Sequence, residues 1–111
     1  MKMRLSCFGF IKDIDDIARA GYDCAELHIK EIMAFDNAEY KAARAKLRSS
    51  GITAEVFNNP IPLDKYIYTP DFDLEFYREY LKKGAERCAA MGARYYNFGN
   101  GKSRSLPTEG D

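Results

Sequence analysis

The sequence predicts an α/β fold in which parallel strands alternate with crossover helices in the order β-α-β-α-β-α-β. Three observations carry this. One phrase recurs three times, at Ala18-Arg19-Ala20-Gly21-Tyr22-Asp23-Cys24-Ala25-Glu26-Leu27, at Leu47-Arg48-Ser49-Ser50-Gly51-Ile52-Thr53-Ala54-Glu55-Val56-Phe57, and at Ala89-Ala90-Met91-Gly92-Ala93-Arg94-Tyr95-Tyr96-Asn97-Phe98. Each is a helix end, a glycine that accepts the left-handed backbone of a helix C-terminus, and then a short apolar run. The glycines are spaced 30 and 41 residues apart, which matches a repeating strand–helix unit. Apolar stripes at helical spacing precede each glycine. A strand–helix–strand unit repeated in this way builds a parallel sheet.

The elements follow in order. The first strand is predicted over Met3 to Phe8, and Gly9-Phe10 turns it. Asp13 opens a short helix with Asp16 three residues on, near where a capping box places its acid. Its stripe is Ile14, Ile17 and Ala18. Gly21 ends it, and the second strand runs from Cys24 to Ile29. A loop over Lys30 to Asp36 leads to a helix over Ala38 to Ser49 with the stripe Tyr40, Ala43 and Leu47. Gly51 ends that helix, and the third strand is Thr53 to Phe57. The segment Asn58-Asn59-Pro60-Ile61-Pro62-Leu63 is extended, because a residue before proline is pushed away from helical geometry. The loop runs to Thr69-Pro70, long enough to suggest a functional role. The last helix begins near Asp71 and Asp73, whose charges suit a helix N-terminus. Phe76, Tyr77, Tyr80, Leu81, Gly84, Ala85 and Cys88 form its apolar face. It closes at Met91-Gly92, and Tyr95 to Phe98 makes the fourth strand. Gly99 to Asp111 is largely polar.

Alternation along the strands separates two faces. Leu5 and Cys7, then Ala25, Leu27 and Ile29, then Ala54 and Val56, then Tyr96 and Phe98 fall on an apolar face. Arg4, Ser6, Glu26, His28, Glu55, Asn59 and Asn97 fall on the other, with Phe57 among them. An open doubly wound sheet is covered on both sides and reads as continuous apolar runs. The polar face therefore favours part of a (β/α)8 TIM barrel, with parallel strands and outer helices, over the doubly wound alternative. Arg4 and Glu55 are read either as part of that interior or as solvated edge residues.

Composition narrows the function. The chain has 111 residues, enough for one domain, with 46% hydrophobic and 31% charged residues. Its 17 basic and 17 acidic residues balance, which leaves no basic field for a nucleic-acid backbone. No run approaches the length of a membrane helix. No signal peptide is evident at the N-terminus. Cys7, Cys24 and Cys88 lack metal-ligand spacing and are odd in number, so reduced, buried thiols of a cytoplasmic protein are expected.

Ligands of parallel α/β sheets bind at the C-terminal ends of the strands. Those ends hold Phe8 and Gly9, then His28, then Asn58 and Asn59, then Gly99 and Asn100. Glu26 is a carboxylate near the end of a central strand, a place that demands a partner, a ligand or a catalytic role, or else a hydrogen bond to the neighbouring strand. His28, the one histidine, reads as an acid, a base, a metal ligand or simple polar surface. Phe98-Gly99-Asn100-Gly101-Lys102-Ser103-Arg104 is glycine-rich and basic directly after a strand. A phosphate loop of the form G-x-x-x-x-G-K-S would need glycine where Tyr96 stands and a helix that Pro107 opposes. An anion- or sugar-binding loop remains, as does a plain surface loop. No cysteine or serine has a base placed beside it by sequence.

Together these residues resemble the sugar phosphate isomerase/epimerase family of xylose isomerase-like TIM barrels. The resemblance lies in Gly21-Tyr22-Asp23-Cys24-Ala25-Glu26-Leu27, in the third strand ending at Phe57-Asn58 with its proline segment, and in Met91-Gly92-Ala93 leading to Phe98-Gly99-Asn100-Gly101. Arg104-Ser105-Leu106-Pro107-Thr108-Glu109-Gly110 is similar to the family's loop after the fourth strand. The resemblance covers essentially the whole chain, and it rests on the order and spacing of short motifs. It implies proton transfer next to a sugar carbonyl, assisted by a divalent metal (Mn, Mg, Co or Zn) in the complete barrel. The family's metal ligands come mainly from later strands, so no metal is expected for this chain alone. The substrate-side candidates are Glu26, His28, Asn58, Asn59, Asn97, Asn100, Lys102 and Arg104, with no catalytic residue assigned. Apurinic endonucleases share the barrel but carry histidines where this chain has asparagines, which counts against DNA repair. A complete barrel needs about 250 residues. Residues 1–111 are therefore expected to form a single partial domain, the N-terminal half of an enzyme acting on a sugar or sugar phosphate and inactive alone. Association with a second copy or with the missing half follows from its open edges. The alternative is a non-catalytic α/β module that binds a phosphate-bearing molecule through loop 99–104.

Overall fold

A computed structural model describes residues 3–60 and 66–99. Among them, four strands form one parallel sheet in the order β1-β2-β3-β4. The strands are β1 (Ser6–Phe8), β2 (Cys24–His28), β3 (Thr53–Asn58) and β4 (Tyr95–Asn97), and the helices are α1 (Ile14–Arg19), α2 (Ile29–Ala34), α3 (Asn37–Ser50) and α4 (Leu74–Ala90). Each strand pairs with its sequence neighbour in parallel. With parallel strands paired in chain order, the right-handed crossover rule puts the helices on one face of the sheet, the barrel arrangement rather than the doubly wound one.

Local chemistry explains the element ends. A 3-10 turn over Ile11–Asp13 precedes α1. The Phe10 N–H donates to Asp13 Oδ2 at 2.9 Å. Asp13 is thus the acid that holds this entry, while Asp16 pairs with Arg19 along the helix. The first strand is shorter than expected, because Leu5 already leaves the ladder and accepts from the Asp23 N–H at 2.9 Å. The predicted loop over Lys30 to Asp36 is instead mostly helix, α2. Ile29 and Ile32 are fully buried and Met33 packs beside the core, an i, i+3, i+4 stripe in an element too short for periodicity to reveal. Asp36 then caps α3, accepting from the Glu39 N–H at 2.8 Å while Glu39 accepts from the Asp36 N–H at 3.1 Å. Gly51 ends α3 with φ 82°. Asp73 caps α4 through the Phe76 N–H at 3.1 Å. Tyr77, Gly84 and Cys88 are the buried residues of α4, whereas Ala85, expected on the apolar face, is exposed.

The core lies between the sheet and its helices. Ile14, Ile17, Ala25, Leu27, Ile29, Ile32, Ala54, Phe57 and Cys88 belong to one buried cluster. The register corrects the predicted faces of the third strand. Ala25 pairs with Ala54, but Glu26 pairs with Val56 and Leu27 with Phe57, so β3 carries one extra residue, Glu55, at a bulge. A bulge shifts the inside–outside alternation by one residue. Phe57 therefore enters the core with Leu27, and Val56 joins Glu26 on the opposite face.

That face is open. Phe8, Glu26, Val56 and Tyr95 align across the strands, followed by His28, Asn58 and Asn97. Phe8 is 50% exposed and Tyr95 60%. At the N-terminal end of the sheet, Glu55 is buried and accepts from Arg4 Nη1 at 2.8 Å and from Thr53 Oγ1 at 2.6 Å, with a second contact to Arg4 and a long one to Arg94 at 3.5 Å. Arg4 and Glu55 are thus partners of each other, on the stability end of the sheet rather than the ligand end.

Candidate functional site

The C-terminal ends of the strands hold a connected polar row. Asn58 Nδ2 donates to Glu26 Oε1, and Asn97 Nδ2 donates to Asn58 Oδ1 at 3.1 Å. The row spans β2, β3 and β4. Glu26 orients the Asn58 amide, and the Asn58 carbonyl oxygen then orients Asn97. At one end of the row lies a carboxylate and at the other an amide oxygen, both acceptors. A parallel sheet with matched strand ends is what brings these three residues together. Spacing alone shows only that each lies near a strand end.

A second contact lies beside it. Asn59 Nδ2 sits 3.0 Å from His28 Nε2. The Asn59 backbone N–H donates to Asn97 O at 3.1 Å, so the loop after β3 is tied to β4. The imidazole edge packs on the Phe8 ring, centroids 6.1 Å apart, and Phe8 packs edge-on against Phe10 at 5.9 Å. Burial, and secondarily the Lys30 charge, hold the His28 pKa below the usual 6.5, so the ring is neutral at neutral pH.

The mouth continues into a cleft of about 390 Å³ lined by Phe10, His28, Lys30, Glu31 and Ala34. Glu31 accepts from the Ile11 N–H at 3.0 Å. Burial pushes its carboxyl above the usual range, and the Ile11 amide offsets this in part. At the end of β1, the Gly9 N–H donates to Glu26 O at 3.0 Å, and a Cβ there would lie 2.9 Å from Ile17 Cδ1.

Of the substrate-side candidates, the structure brings together Glu26, His28, Asn58, Asn59 and Asn97. Asn100, Lys102 and Arg104 lie outside the described residues. Sequence reasoning named Phe8 at the first strand end but did not single out Phe10, Lys30, Glu31 or Ala34 as lining the cleft. The exposed aromatics had a signal in their position at the first strand end. Glu31 had none, because its helix was read as a loop.

The donor set does not by itself suit a divalent metal. Glu26 already engages Asn58, and His28 engages Asn59 through Nε2. Among the described residues, no group of three or more histidine, cysteine, aspartate or glutamate side chains is assembled that could hold one.

No protein-family model matches the sequence, and no curated protein matches it. Solved structures do. A D-psicose 3-epimerase crystallised in the presence of D-fructose superposes with a TM-score of 0.66 at 14% identity, over 85% of this chain and 36% of that one. A xylose isomerase domain protein from Alicyclobacillus acidocaldarius subsp. acidocaldarius gives 0.67 at 17% identity, over 86% and 36%. The D-psicose 3-epimerase of Clostridium cellulolyticum H10, crystallised with D-tagatose, gives 0.51 at 12% identity, over 84% and 51%. What they share is the fold. The chain spans about a third of the first two proteins, matching the N-terminal part of each. Those two matches bear out the α/β barrel class read from the alternation.

Proposed function

We propose that this chain is the N-terminal half of a sugar isomerase/epimerase-type barrel and contributes one side of its substrate mouth. The observation that carries the reading is the row Glu26–Asn58–Asn97, placed at the ligand end of an open sheet face. A row that ends in acceptors, with aromatic rings beside it, suits a polyol. Hydroxyl groups donate to the carboxylate and amide oxygens, and the Phe8 and Phe10 rings cover the C–H faces of a sugar. The neighbours crystallised with D-fructose and D-tagatose point to the same class of ligand. Asn100, Lys102 and Arg104, which follow β4 in sequence, are the proposed further contacts for a phosphate or for hydroxyls.

The reaction class is proton transfer next to a sugar carbonyl. In the family this chain resembles, the divalent metal is held mainly by later strands of the barrel, so the chain alone is expected to be inactive. Glu26, Asn58 and Asn97 bind and orient substrate rather than exchange its protons. The open face and the edges of β1 and β4, unpaired among the described residues, are to be covered by the complementary half or by a second copy of the chain. The free thiols of Cys7, Cys24 and Cys88 suit a cytoplasmic setting. No described helix is long and apolar enough to cross a membrane.

Titration with D-fructose and D-tagatose, followed through the side-chain amide resonances of Asn58, Asn59 and Asn97, tests the reading. Saturable shifts at these amides, with the Glu55 end of the sheet unmoved, are expected. No shift at any of the three, or shifts confined to the other end, would contradict it.

A further inference from the structure

Asn59 is held in an uncommon shape. Among the described residues it is the one non-glycine residue with a left-handed backbone, φ 60°. Asparagine tolerates that region better than most residues, but the conformation still needs support. Its N–H is fixed by Asn97 O, and the following Pro60 side chain is fully buried. Gly99 leaves room for it: a Cβ there would lie 2.9 Å from Asn59 Oδ1. These features aim the amide nitrogen at His28 Nε2, 3.0 Å away. An amide nitrogen donates and does not accept, so the Nε2 facing it carries the lone pair. In a neutral ring the proton then sits on Nδ1.

We propose that Asn59 is a positioning residue that holds His28 as the neutral imidazole protonated at Nδ1, so that the ring offers an N–H donor to a ligand oxygen in the adjoining cleft. The polar row beside it ends in acceptors, so His28 supplies the complementary donor for a hydroxyl, carbonyl or phosphate oxygen of a sugar. Lys30, in the same cleft, adds a cation to that donor side. The charged groups around the ring are Lys30 and Glu31 on α2 and Glu26 on its own strand. The β1 end and β3 side face it with Phe8, Phe10 and Asn59, none of which titrates. The identity of the ligand rests on the sugar reading above. The tautomer does not, and it is read without any ligand.

The chain has a single histidine, so its ring gives one set of resonances. Long-range proton–nitrogen correlation spectra of the labelled chain, recorded through a pH titration, report both tautomer and pKa. The wild-type chain is expected to show a protonated Nδ1 and a bare Nε2, with the ring titrating below 6.5. Asn59→Asp sets a carboxylate opposite Nε2. It is expected to move the proton to Nε2 and to raise the pKa by about one unit or more. Asn59→Ala removes the donor and is expected to leave a mixture of tautomers. A wild-type ring protonated at Nε2, or a tautomer and pKa unchanged in Asn59→Asp, would overturn the proposal. Failure of the sugar titration with the Nδ1 tautomer intact would count against the sugar reading alone.

Discussion

Glu55→Gln should destabilise the fold by about 1–2 kcal/mol near neutral pH and by much less near pH 2. Glu55 is 7% exposed, and its carboxylate takes hydrogen bonds from Thr53 and Arg4, with Arg94 close by. The Thr53 hydroxyl and the Arg4 guanidinium hold its pKa well below 4.5, at about 2, against the opposing effect of burial. A shift of that size corresponds to about 3 kcal/mol. The side chains of Arg4 and Arg94 are 50% and 63% exposed, so solvent screens both and reduces the figure to about 1–2 kcal/mol. A carboxylate with a depressed folded pKa stabilises the fold above its unfolded pKa, and that contribution fades as pH falls from about 4.5 toward about 2. Glutamine keeps the shape and removes the charge. Urea unfolding followed by tyrosine fluorescence, at one chain concentration for both proteins, measures the difference at each pH. An equal loss at neutral pH and near pH 2, or no loss at neutral pH, would refute the charge argument.

Further outcomes follow from packing. A Cβ on Gly84 would lie 2.6 Å from the Tyr96 hydroxyl, so Gly84→Ala should lower stability by about 1–3 kcal/mol despite its better helix propensity, and adding Tyr96→Phe should recover part of that loss in the unfolding midpoint. The Tyr96 hydroxyl is buried with no hydrogen-bond partner among the described residues, so Tyr96→Phe alone should be neutral or stabilising by about 1 kcal/mol. Asp36→Ala removes the α3 cap and should cost about 1 kcal/mol in the same assay. Burial pushes the Cys88 thiol up to about 12, so a thiol reagent at neutral pH should label the half-buried Cys7 first and reach Cys88 only on unfolding, as read by mass spectrometry.

The element order and the fold class were legible because helix ends, glycines and apolar runs are local signals. Gly21, Gly51 and Gly92 all have positive φ, as the recurring phrase requires. α2 was not legible. It has six residues, it starts directly from a strand end without a side-chain cap, and its apolar stripe fills barely more than one turn. The face of Phe57 was misplaced because a bulge at Glu55 depends on pairing with β2, which no period within the strand records. The site divides in the same way. Glu26, His28, Asn58, Asn59 and Asn97 are residue types whose position near strand ends marks them in the sequence. Which amide meets which acceptor is set by register between strands. The left-handed turn at Asn59 is set by Gly99 and Asn97, some forty residues away.

The central claim is that this sheet is half of a barrel, with an inner face and two edges to be covered. The solution mass by light scattering over a range of concentrations tests it most directly. The account predicts a mass above the 12.7 kDa of one chain, falling toward it on dilution. A monomer of that mass at every concentration, unfolding in a single sharp transition in urea, would contradict it and mark the chain as a self-sufficient small α/β domain.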